Sequence, residues 1–354
     1  MIDAVAAQSG AVVPAPRSRA RVLGLVLLAL VVLSAVLAIS AGAVRIAPSQ
    51  VLAVMWSHVV GLPTGGSAPH PIHDQIVWSV RVPRVLLALV AGAGLAVAGT
   101  VLQAVVGNPL ADPYVLGVSA GASAGAVAVF TLGAVGGLGV SAAAFAGALV
   151  TLVLVLLLGQ RDGRVDPVRL LLAGVALGYL FQAVTSYLQL RQGGAQLQAV
   201  LFWLLGTLSG AQWSSLGLPA LIVVASTVWL LLKARALNAL VLGDEVAASL
   251  GLRVGALRLQ LLVVAALLTA AVIAVAGGIG FVGLIAPHAV RLVIGTDHRA
   301  LLPLAALTGG VFLILADLVG RTAAQPVELP LTVVTALVGV PFFLVLLRRQ
   351  GRTL

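Results

Sequence analysis

Gly278, Gly280 and Gly283 stand at the G-x-G-x-x-G spacing that lets a backbone close on the pyrophosphate of a dinucleotide. That chemistry needs a strand before the glycines and a soluble βαβ unit around them. Apolar runs flank the motif on both sides, so it reads as a helix break or as tight helix packing. A P-loop needs a lysine directly after glycine, and the one lysine of the chain, Lys233, follows Leu232. No H-E-x-x-H pair offers a metal its ligands, and the absence of cysteine removes thiolate ligands and thiol nucleophiles. The 10 carboxylates are scattered, nearly all at the ends of apolar runs or between them. Asp317 is the exception, set within an apolar run with Arg321 one helical turn later on the same face. Ion-coupled carriers keep an ionisable group deep in the membrane, so the scatter argues against a secondary transporter. The residues predict no bond chemistry and no enzyme, and ATP-driven work would require a separate ATPase.

The elements that must position these residues are membrane spans. Of 354 residues, 61% are hydrophobic and 8% charged, against about 25% charged in soluble domains. A span takes roughly 20 apolar residues. Runs bounded by charge, proline or glycine predict spans at 22–42, 82–105, 114–134, 140–159, 168–189, 215–233, 257–277, 284–296, 300–320 and 328–347. The fold class predicted is an all-α polytopic membrane protein of about ten helices, one domain over 22–349 between tails at 1–21 and 350–354. The first run follows Arg17, Arg19 and Arg21 but exceeds a signal-peptide core in length, so it is read as a retained span. Segment 196–213 is too broken to cross and is expected at the outer surface.

With the N-terminus inside, only Arg45, Arg81, Arg84, Arg191 and Arg321 of the 20 Lys and Arg fall outside. That bias puts both termini in the cytoplasm. The net charge of +10 then reflects orientation rather than nucleic-acid binding. Trp56, Trp78, Trp203 and Trp213 fall on the outer side, where interfacial anchoring favours them.

Several features suit transport. Gly117, Gly121 and Gly125, with Ser119 and Ser123, form a small-residue ladder that reads as helix packing. Gln182, Thr185, Ser186 and Gln189 share a face of the fifth span, and a lining for a wet path is favoured over bonds to a neighbouring helix. Asn108, Pro109 and Leu110 belong to a proline-stiffened turn on the cytoplasmic side that suits a gate as well as a helix stop. In the cytoplasmic loop 234–256, Gly243, Asp244, Glu245, Ala248, Leu250 and Gly251 outline a short helix with acids in its first turn and a glycine after its end. A docking element and a solvated loop fit that segment equally. On the outer face, Arg81, Arg84 and Arg321 either snorkel to headgroups or receive an acidic partner. His58, His70 and His73 share the outer loop, ordinarily as polar surface and less often as haem ligands.

Taken together, segments 81–126, 202–213, 242–252, 277–303 and 316–349 resemble the permease subunit of the ABC importers for iron siderophores, haem and vitamin B12, the type II importers. Gly277-Gly278 stands where that family often has Gly-Pro. The resemblance implies ten helices per subunit, a homodimer in the bacterial inner membrane, and two cytoplasmic ATPase subunits that hold the ATP and Mg. It also implies a periplasmic or surface binding protein that delivers the substrate. It gives Arg81, Arg84 and Arg321 the docking of that protein, 243–251 the coupling to the ATPase, 108–110 the cytoplasmic gate, and the fifth span the pathway lining. The expected cargo is an iron chelate, haem or ferric siderophore, with cobalamin as the alternative.

Overall fold

The computed structural model describes residues 17–42, 44–60, 71–132, 137–161 and 164–350, so His70 and most of both tails lie outside the described residues. Helix α1 (Arg17–Ser40) is followed by α2 (Pro48–Val60) and by α3 (Pro71–Asp74). From α3 the chain runs through a wide π turn (Gln75–Arg81) into α4 (Val82–Val106). Pro83 explains the wide turn, because its ring nitrogen has no proton to close an ordinary helical bond at that point. The expected second span is therefore one 36-residue helical rod, Pro71–Val106.

After a 3-10 turn (Pro113–Leu116) come α5 (Val118–Thr131) and α6 (Gly137–Leu158), then a two-residue hairpin, β1 (Gln160–Arg161) against β2 (Arg164–Val165). The remaining helices are α7 (Pro167–Leu190), α8 (Gly194–Leu204), α9 (Trp213–Leu232), α10 (Ala234–Val241), α11 (Asp244–Ser249), α12 (Val254–Ala276), α13 (Val282–Ile294), α14 (His298–Thr322) and α15 (Leu331–Gln350). Seven of these segments are long and apolar enough to cross a membrane, and α5, α13 and most of α15 are shorter apolar helices. Each of the ten expected spans falls on one of these ten helices.

Helix α4 is the axis of the bundle, buried along most of its length. Small residues let its neighbours approach backbone to backbone, the contact that drives association where lipid gives no hydrophobic force. A Cβ at Gly92 would lie 2.2 Å from the Gly309 carbonyl oxygen of α14, and one at Gly99 would lie 2.0 Å from that of Gly283 on α13. The ladder on α5 serves the same end, with Gly121 against Gly147 and Thr151 of α6 and Gly125 against Ala143.

Two crossings are not continuous helices. The third begins as extended chain and the 3-10 turn, and becomes helical only at Val118. The eighth starts after the break 277–281, where Phe281 takes a left-handed φ of 69° and its ring lies against Gly339 of α15. Such breaks survive at membrane depth only where their backbone polar groups are met inside the protein. Thr207 N donates to Ala276 O (2.9 Å), Leu331 N to Gly206 O (2.9 Å), Thr332 N to Leu205 O (3.0 Å), and the Thr332 hydroxyl to Gly278 O (2.7 Å). The segment 196–213, expected at the outer surface, forms α8 and the turn that makes these bonds, with Leu201, Leu205 and Trp213 left exposed. Val200 and Leu208 are buried there.

Candidate functional site

At one end of the bundle, the arginine end, Arg81, Arg84 and Arg321 meet. Their surroundings begin with a helix terminus. The last carbonyls of α1 have no partner within their own helix and carry the negative end of its dipole, yet the last turn of α1 has no basic residue. Arg81 supplies the missing charge, donating to Ile39 O at 2.6 Å, Ser40 O at 3.2 Å and Val44 O at 2.5 Å. Arg321 donates to Ala38 O from the other side.

Arg84 is held by two carboxylates. Its Nε lies 2.9 and 3.1 Å from the Asp317 oxygens, and its two terminal nitrogens each lie 2.9 Å from an oxygen of Glu328. This fork-to-carboxylate geometry is the strong form of ion pair. Asp317 is buried and also faces Arg321 at 3.5 Å, one turn along α14. Glu328 lies in the loop before α15, and the Arg84 guanidinium holds its carboxyl below the usual glutamate range.

The three arginines expected as receivers of an acidic partner are thus all engaged within the chain. Arg81 is 6% exposed and Arg321 9%. The sequence reading found Arg321 beside Asp317 but missed Glu328, which lies 244 positions from Arg84.

At the opposite end lies α11. Gly243 (φ 110°) and Gly251 (φ 80°) bracket it in backbone conformations that side chains disfavour. Ala247 alone of its six residues is buried. Asp244 reaches back to Arg258 of α12 at 2.8 Å, while Glu245 and Ala248 are exposed. Leu242, Val246 and Leu250 stand one turn apart and are 46%, 41% and 65% exposed, an uncovered apolar stripe beside two acids.

The preceding α10 is fixed to the base of α14. Asn238 Nδ2 donates to Asp297 Oδ1 (2.7 Å), and Asn238 Oδ1 accepts from His298 N (2.9 Å) and lies 2.8 Å from His298 Nδ1. The sequence reading missed this latch, whose members lie about 60 positions apart.

The turn at Asn108, Pro109 and Leu110 is exposed at the same end as α11. Gly107 closes α4 in the left-handed region (φ 68°), and Asn108 Oδ1 accepts from Leu110 N at 2.9 Å. Asp112 then caps the 3-10 turn by accepting from Tyr114 N at 2.9 Å, and the Tyr114 hydroxyl accepts from Ile279 N. One short segment therefore joins the turn to the break before α13.

On α7, Gln182 and Ser186 are exposed and Gln189 is half-buried. Thr185 corrects the expected stripe. It is fully buried, and its hydroxyl bonds the Phe181 carbonyl of its own helix at 2.8 Å, the common way a membrane helix satisfies threonine. Tyr179 and Leu190 extend the open face that Gln182 and Ser186 share.

The sequence pattern of the FecCD transport family matches residues 28–349. The cobalamin import system permease BtuC of Halobacterium salinarum is 45% identical over 281 residues, covering 79% of this chain and 75% of that protein. The hemin transport system permease HmuU of Yersinia pestis is 41% identical over 279 residues, covering 77% and 84%. The Fe(3+)-citrate import system permease YfmE of Bacillus subtilis is 37% identical over 330 residues, covering 93% and 95%. Among solved structures, an inward-facing metal-chelate type ABC transporter superposes with a TM-score of 0.81 at 31% identity, covering 93% of this chain and 99% of that one. With an all-helical fold that superposes on that transporter over most of both chains and a family match over most of its length, the chain belongs to the FecCD transport family of ABC importer permeases.

Proposed function

We propose that this chain is the membrane permease of an ATP-driven importer for a bulky metal chelate, either an iron chelate (haem or ferric siderophore) or cobalamin. The observation that carries the reading is α11, whose Leu242, Val246 and Leu250 are left uncovered in a chain without a P-loop of its own. An apolar stripe flanked by acids is a surface awaiting a partner, and here the partner is the ATPase that holds ATP and Mg. Two such ATPases serve a homodimer in the bacterial inner membrane, with α11 and both termini in the cytoplasm and the arginine end outside. The open face of α7 supports its placement along the pathway between the two copies.

A substrate-binding protein docks at the arginine end. Because Arg81, Arg84 and Arg321 already hold α1, Asp317 and Glu328 in place, their part in docking is to frame the platform and lend it net positive potential. Transport proceeds by alternating access. ATP binding moves α11, and α10 carries that motion to α14 through Asn238, Asp297 and His298 while the 108–110 turn opens or shuts the cytoplasmic gate.

Cobalamin stands level with the iron chelates because the Halobacterium cobalamin permease shares 45% identity with this chain, against 41% and 37% for the hemin and ferric citrate permeases. Proteoliposomes holding this chain with its genomic-neighbour ATPase and binding protein should accumulate one of haem, ferric siderophore or cobalamin only when ATP is inside. Accumulation without ATP, driven by a proton or sodium gradient, would overturn the reading.

A further inference from the structure

A cavity of about 710 Å³ opens between the first turns of α6, the start of α9 and the last turns of α12. That volume lies in the range of small-molecule sites. None of its lining residues comes from α7 or from the 108–110 turn, so it is separate from the proposed pathway and gate.

Its lining is graded along the helices. Ser141 and Ser214 lie near the starts of α6 and α9 and Gln212 caps α9, whereas Phe145, Ile222 and Ala271 lie further into the bundle. The level of the mouth is marked by aromatic rings. Trp213, the first residue of α9, donates its indole N–H to Trp78 O at 2.9 Å, and the two rings lie 4.8 Å apart. Tryptophans of this kind sit at headgroup depth. Ile222 follows Trp213 by nine residues, or ~13 Å of helix, close to the ~15 Å thickness of one leaflet's hydrocarbon. The cavity therefore runs from the interface at the arginine end to near the bilayer midplane, polar at its mouth and apolar at its floor. No charged side chain is among its described lining residues, so nothing there selects an ionic headgroup.

We propose that this cavity binds one acyl chain of a neutral or zwitterionic glycerolipid from the leaflet at the arginine end, with the ester and headgroup region at Ser141, Gln212 and Ser214. The test uses the full-length chain in phosphatidylcholine vesicles containing a trace of phosphatidylcholine whose acyl chain carries a diazirine. After photolysis, crosslinks are mapped by mass spectrometry.

Peptides covering 139–145, 214–222 and 271–275 should carry several-fold more label than the exposed apolar face of α1 around Leu25 and Val32. Ala271→Phe, which fills the floor, should remove that excess and leave labelling of α1 unchanged. Ala142→Phe, at an exposed position on the rim, serves as the second variant should the buried change disturb folding. Labelling equal to that of α1, or untouched by either phenylalanine, would overturn the proposal. So would enrichment seen only with an anionic phosphatidylglycerol probe, or displacement of the label by haem, ferric siderophore or cobalamin, which would make the cavity a substrate subsite.

Discussion

The arginine end and the α11 end solve opposite problems with the same kinds of residue. At the arginine end, Arg81, Arg84 and Arg321 are consumed by α1 carbonyls, Asp317 and Glu328. At the other end, Asp244 of α11 pairs with Arg258, Glu245 is exposed, and the apolar stripe is uncovered among the described residues. A charged cluster saturated from within acts as a structural clamp, and a helix left half-satisfied is what the proposed function would use as a surface for another protein. Mutations at the first should therefore register as stability, and mutations at the second as assembly.

The largest stability effect should come from Asp317→Ala. The change leaves Arg321 without its carboxylate and Arg84 with Glu328 alone, at a site where Asp317 is 1% exposed. Breaking a buried pair by removing one partner costs about 3–5 kcal/mol. Thermal unfolding of the purified variant in detergent should show a loss of that order, while any folded fraction keeps its ATP dependence. A variant of normal stability whose uptake has lost only its ion dependence would instead mark Asp317 as a carrier's coupling group and break the comparison.

How much of this was legible in the sequence follows from which forces act locally. Apolar runs such as 254–276 and 298–322 announce their helices because burial in lipid requires an unbroken backbone ladder. The breaks do not announce themselves in the same way. The start of the third crossing read as helix, yet Asp112 and Tyr114 turn it into a 3-10 segment pinned to Ile279, a contact 165 positions away. Segment 196–213 read as too broken to cross, but its partners did not show, because Gly206 and Leu205 accept bonds from the start of α15, more than 120 positions away. The bracketing glycines of α11 were readable because capping is local. The exposure of Leu250 was not, because it depends on what fails to pack there. The arginines stood out by type, but their partners lie across the fold.

At the α11 end the expected effect is smaller and of a different kind. Leu250→Asp alters a residue 65% exposed in the isolated chain, so unfolding should be unchanged. Binding of the partner ATPase should weaken about tenfold, equivalent to ~1.4 kcal/mol, because an apolar anchor is replaced by a charge that must be desolvated. Titrating ATPase onto the reconstituted permease measures this directly. A drop in stability with normal ATPase affinity would make α11 a packing element and erase the contrast between the two ends.

The smallest effect sharpens the boundary of the clamp, through Glu328. Its side chain is 39% exposed and its pair with Arg84 is half in solvent, so about 1 kcal/mol is the expected worth, the upper end for exposed pairs. Arg84 lowers the Glu328 carboxyl below its ordinary value. A carboxylate depressed in the folded state adds stability that is fully present above the unfolded value, near ~4.3 for glutamate, and lost as pH falls through the folded value. The gap in unfolding temperature between the native chain and Glu328→Gln should therefore hold from neutral pH down to the unfolded value of ~4.3 and close as pH falls on through the lower folded value. Glutamine keeps one acceptor oxygen for Arg84 and loses the charge and the second accepted bond, so the part of the gap that closes in acid measures what the ionised carboxylate adds to the pair. A gap that persists unchanged in acid would show that Glu328 contributes through packing of the loop before α15, leaving Asp317 as the sole electrostatic anchor of the clamp.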